Sequence, residues 1–96
     1  MIVHIVMFKF KEQNREANTL EMKKKLEALV GVVPTLKSME VGIDFSKSPR
    51  AYDLSLYSTF DDKDALQAYA IHEEHLKVVE FVKEMTIESK VVDYIK

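Results

Sequence analysis

The chain has 96 residues, 47% apolar and 31% charged, an ordinary globular balance with room for one core and not two. Cysteine is absent, which excludes a disulfide framework, a thiolate metal site, an iron–sulfur cluster and a cysteine nucleophile. With 14 Lys and Arg against 16 Asp and Glu the net charge is -2, which speaks against a nucleic-acid partner held through phosphates.

Residues 2–10 (IVHIVMFKF) are β-branched and aromatic and read as a strand. Ile2, His4, Val6, Phe8 and Phe10 share one face, and Val3, Ile5, Met7 and Lys9 the other. Both faces are apolar in the first half, as in a central strand. A polar connection, 12–18, leads to a helix capped by Asn18 or Thr19, with Met22, Leu26, Leu29, Val30 and Val33 at helical spacing. Lys23, Lys24, Lys25 and Glu27 take its wet face, and Gly31 and Pro34 mark its end. Residues 38–45 alternate as a half-buried strand, SKSPR (46–50) turns, and 52–60 alternate again, so 38–60 is expected to be a hairpin. DDKD (61–64) starts a helical run with Leu66, Tyr69, Ala70, Leu76, Val79, Val82 and Met85, either unbroken or split near 72–74. Residues 87–95 form a last strand.

The order predicts a single domain over 1–96, of the α+β class. It is a ferredoxin-like βαββαβ fold, a four-stranded antiparallel sheet with both helices on one face. The other face is then bare. It carries Val3, Ile5 and Met7 among Glu40, Ser55 and Thr59, and a second copy of the chain is expected to cover it as a homodimer. No stretch reaches the ~20 apolar residues of a membrane span, and the first residues lack a basic region ahead of the apolar run. A cytoplasmic protein without membrane contact is the expectation.

Three histidines carry the chemistry. His4 lies inside the first strand, and His72 and His75 lie in AYAIHEEHLKVV. The bland reading of each is a core imidazole with a satisfied partner. The sharper one brings His4 and His75 together between sheet and helices as an acid–base pair, with the Tyr69 hydroxyl donating to a developing oxyanion. His72 and His75, three apart, could share a metal, but no third helical ligand stands out, so no metal is assigned. With Gly31 and Gly42 as its two glycines, the chain has no phosphate-cradling loop and no nucleotide cofactor is expected.

MIVHIVMFKFK, LVGVVPTLKSMEVGIDFS, YAIHEEHLKVVEFV and VVDYI together resemble the stress-responsive α/β-barrel (Dabb) domain family of the dimeric α+β barrel superfamily. The resemblance implies a homodimer of ferredoxin-like subunits, each with a small pocket between sheet and helices. It also implies that His4, His75 and Tyr69 match the catalytic groups of the family's polyketide cyclases, which close rings by aldol-type chemistry. Val6, Phe8, Leu26, His72 and Val79 are the expected lining for a small apolar or phenolic ligand. Two positions depart from the family. Leu26 stands where those cyclases carry a pocket tyrosine. Glu73 stands where the family has proline, which frees the helix to run on past residue 72. The alternatives are a structural, stress-protective oligomer without turnover and a monooxygenase-like enzyme of the same superfamily. No cofactor is expected under the first reading.

Overall fold

A computed structural model describes residues 1–96. The elements are β1 (Ile2–Phe10), α1 (Arg15–Glu27), β2 (Ser38–Ile43), β3 (Leu54–Phe60), α2 (Lys63–Ile71), α3 (Glu73–Met85) and β4 (Thr86–Ile95). The strands form one antiparallel sheet in the order β2-β3-β1-β4, so β1 is central as its two apolar faces require. Met22 and Leu26 from α1, Tyr69 from α2 and Val78 from α3 join Phe8, Phe10, Val41, Leu54, Leu56 and Phe60 in one core. All three helices therefore cover the same face. No helix is long and apolar enough to cross a membrane.

The first helix begins earlier than expected. Thr19 does not cap it: its hydroxyl donates to the Arg15 carbonyl at 2.7 Å from within the helix. The start is instead a left-handed Asn14 (φ 56) whose side chain makes no capping bond. Regular helix stops at Glu27, and a run of turns carries Leu29 and Val33 into the core while Val30 is left 47% exposed. Gly31, at φ 86, takes the left-handed conformation there. The two strands of the hairpin are shorter than expected, ending at Ile43 and starting at Leu54. Asp53, just ahead of β3, is buried. Its carboxylate accepts the Phe10 N–H at 2.7 Å and lies 3.7 Å from Arg15 Nε.

The helical run after Asp62 is two helices, broken at His72. Asp62 caps α2 by accepting the Ala65 N–H at 2.8 Å. On the open face of the sheet, Val3 is already fully buried beside its cross-strand partners Thr59 and Tyr94, while Met7 is 39% exposed. The bare stripe is thus shorter on β1 than the alternation suggests, and it continues on β4 through Val92 and Tyr94.

Candidate active site

The break between α2 and α3 builds the site. Glu73 does not let the helix run on, because His72 takes an extended backbone (φ -64, ψ 136) and its Nδ1 accepts the Glu74 N–H at 3.1 Å. A backbone N–H can only donate, so this nitrogen is the unprotonated one. Glu73 and Glu74 then sit in the first turn of α3, where carboxylates suit the positive end of the helix dipole. His72 is placed by this geometry as a cap, with its remaining ring nitrogen free. His72→Ala should lower stability by about 1 kcal/mol in chemical denaturation, and His72→Asn should restore most of it. Equal stability of alanine and asparagine variants would remove the capping role.

The new start of α3 aims His75 back at the end of α2. Its Nδ1 is 3.1 Å from the Ala70 carbonyl. A carbonyl oxygen only accepts, so Nδ1 carries the proton and Nε2 holds the lone pair. Burial pushes the His75 imidazole below its ordinary pKa; the Ala70 bond opposes this, and the charges of His4 and His72 add to the lowering. Nε2 is therefore a neutral base at pH 7.

Tyr69 packs on this ring at 4.2 Å between centroids. It is 1% exposed, and burial pushes its phenol above the ordinary tyrosine range. The hydroxyl is thus firmly protonated, a donor and not a phenolate. Arg15 Nε and Thr35 Oγ1 are the two buried side-chain polar atoms sealed from solvent without a partner. The Tyr69 hydroxyl, which makes no bond within the protein, is not one of them and keeps an opening to solvent.

Phe60 lies 5.0 Å from Tyr69 and 6.4 Å from His4, ring to ring. His4 and His75 share no ring contact of their own; the row His4, Phe60, Tyr69, His75 links them. His4 has a partner that the sequence did not suggest. The β1–β4 register sets Asp93 opposite it, and the Asp93 carboxylate bonds to His4 Nδ1. The carboxylate accepts, which puts the proton on Nδ1 and leaves Nε2 as the acceptor there too. The signal for Asp93 was an acidic residue on the last strand, but only strand register pairs it with residue 4.

The remaining expected residues divide. Leu26 and Phe8 are core side chains, Val6 packs against the core half-buried, and Val79 is half-buried one turn past His75. Three hollows lie elsewhere on the protein. One of about 590 Å³ runs between the start of α1 and the loop after β2, lined by Arg15, Glu16, Ile43 and Lys47 among others. One of about 310 Å³ lies between the turns after α1 and the first turns of α3, and Glu74, the neighbour of His75, forms part of its wall. One of about 360 Å³ opens on the uncovered sheet face beside Met7, Phe45 and Tyr52. None of the three is lined by His4, Tyr69 or His75. Among the hydrogen bonds at the centre, none comes from lysine or arginine.

The pattern of the Stress Responsive A/B Barrel Domain (Dabb) family matches residues 2–96. An uncharacterized protein of Streptomyces coelicolor is 35% identical over 77 residues, 78% of this chain and 79% of that one. Olivetolic acid cyclase of Cannabis sativa is 29% identical over 77 residues, 78% of this chain and 76% of the cyclase. A solved structure from Bacteroides fragilis, described as a dimeric protein of unknown function with a ferredoxin-like fold, superposes with a TM-score of 0.88. It is 28% identical, with 97% of this chain and 93% of that one covered.

Proposed function

We propose that this chain, which belongs to the Dabb family, is a homodimer through its open sheet face and binds a small uncharged carbonyl or phenol beside Tyr69 and His75. There it moves a proton next to the carbonyl, as a ring-closing or bond-breaking acid–base catalyst does. One observation carries the reading: an unpartnered phenol donor packs on an imidazole whose Nδ1–H is fixed by Ala70. Nε2 removes the proton, and the Tyr69 hydroxyl donates to the oxygen on which the charge collects. His4, oriented by Asp93, is a second acceptor on the same face of the sheet. The kinship with a cyclase supports this chemistry and is compatible with Leu26 replacing the family's pocket tyrosine, since Tyr69 can serve as the donor. An uncharged ligand fits a centre whose hydrogen bonds involve no lysine or arginine.

Ligand-detected NMR with a panel of uncharged phenols and 1,3-diketones tests the site. Binders of the wild type should weaken roughly 2–10-fold in Tyr69→Phe, the worth of one hydrogen bond. If every binder is held equally by Tyr69→Phe and His75→Ala, the site is elsewhere, and an oligomer without turnover becomes the better reading.

A further inference from the structure

The hollow of about 590 Å³ between the start of α1 and the loop after β2 carries charges of both signs. Glu12, Glu16 and Asp44 share its walls with Arg15 and Lys47. In the smaller hollow beside α3, the wall charges Glu74 and Lys77 close on each other at 3.1 Å. In the larger one, no ion pair joins any two of the five residues. Lys47, Glu12 and Glu16 make no ion pair at all.

The walls that keep these charges apart are fixed. On the loop side, the Asp44 carboxylate is spent on its own turn. It accepts the Lys47 N–H at 2.8 Å and the Ser46 hydroxyl at 3.1 Å, and Lys47 holds φ 54 there. On the helix side, Arg15 Nη2 donates to the Phe10 carbonyl at 2.9 Å, and Arg15 Nε lies 3.7 Å from the buried Asp53 carboxylate. These contacts anchor the guanidinium and leave Nη1 uncommitted.

The wall charges decide the occupant. A simple anion meets three carboxylates, and a simple cation meets Arg15 and Lys47. No group of three carboxylates is placed to hold a metal ion. A small ligand that carries both signs satisfies both sets of charges, and the exposed side chains of Leu20 and Ile43 give it an apolar patch. We propose that this hollow binds a free α-amino acid with an apolar side chain. Its carboxylate takes Arg15 and Lys47, its ammonium takes Glu12 and Glu16, and its side chain lies on Leu20 and Ile43. A guanidinium fork suits a carboxylate, and charges already held in place lose little freedom on binding. The hollow is larger than one amino acid, so charge and not close fit does the selecting. It is lined by neither Tyr69 nor His75, so the site stands apart from the reaction proposed there.

Titration of the whole chain with L-leucine, followed by NMR of the backbone amides, tests the site. Amides of residues 12–20 and 43–47 should shift saturably, and those of residues 69–75 should stay. No shift in the first two segments would overturn the proposal. N-acetyl-leucine keeps the carboxylate alone, and leucinamide keeps the ammonium alone. Each should bind roughly 3–10-fold more weakly than leucine, the worth of one partly exposed charged contact. N-acetyl-leucine held as tightly as leucine would make the hollow an anion site, and leucinamide held as tightly would make it a cation site. Either result would overturn the proposal. Two variants assign the walls while sparing Arg15, which also holds Phe10. Lys47→Asn suits the left-handed turn and removes the ammonium, so it should weaken leucine roughly 3–10-fold and leave leucinamide unchanged. Glu16→Gln should weaken leucine and leucinamide and leave N-acetyl-leucine unchanged. Leucine bound equally by the wild type and both variants would place the ligand elsewhere.

Discussion

His75→Ala should slow proton transfer by roughly 10²–10⁴-fold, the usual worth of a positioned general base. The readout is exchange of deuterium into the carbon between the carbonyls of a bound 1,3-diketone, followed by NMR. The fold should survive, because His75 is half-buried and its recorded hydrogen bond is the one to Ala70. The pH profile of the wild type adds a second check with a definite sign. The base works in its neutral form, and burial lowers the His75 pKa from the usual 6.5. Exchange should therefore stay level as pH falls through 6.5 and decline only below it. A decline centred above 6.5, or an alanine variant as fast as wild type, would remove His75 as the base. Asp93→Asn separates the two histidines. It loosens the orientation of His4 and leaves the Ala70–His75 bond untouched, so a site run by His75 keeps its acid limb in that variant.

The fold was legible where side-chain alternation and period speak for themselves. β1, the hairpin and the last strand follow from apolar residues spaced by two, and the covered and open faces follow from which set is continuous. The start of α1 was not legible, because Thr19 has the same capping chemistry whether it bonds forward to a free N–H or back to a carbonyl. In the structure it bonds back to Arg15. The break at His72 was half legible: a split near 72–74 is one of two readings of the run, but an imidazole as cap is uncommon, and Glu73 suggests continuity. At the candidate site the residues could be named from type and family likeness. Their arrangement could not. That Phe60 stands in the row joining His4 to Tyr69, and that Asp93 pairs with His4, are consequences of register. A shift of one residue would have turned Asp93 to the opposite face.

Phe60→Ala should cost about 3–5 kcal/mol in chemical denaturation, the range for emptying a buried aromatic position. Phe60 is fully buried, pairs with Ile2 at the end of β3, and is two residues from the Asp62 cap of α2. One side chain thus fastens the central strands to the helix that carries Tyr69. Its ring contacts with Tyr69 and His4 add specificity beyond buried area, because tilted and edge-on aromatic pairs are geometrically selective. Since a domain of this size holds only about 5–15 kcal/mol in total, the alanine variant should be close to unfolding. Phe60→Leu keeps most of the volume and should cost under about 1.5 kcal/mol. It removes the ring that spans His4 and Tyr69, so ligand affinity should fall in a protein that is still folded. A leucine variant that binds as tightly as wild type would reduce Phe60 to packing. An alanine variant that loses under about 1 kcal/mol would mean that this end of the core can collapse onto the gap, and that Tyr69 is positioned from α2 alone.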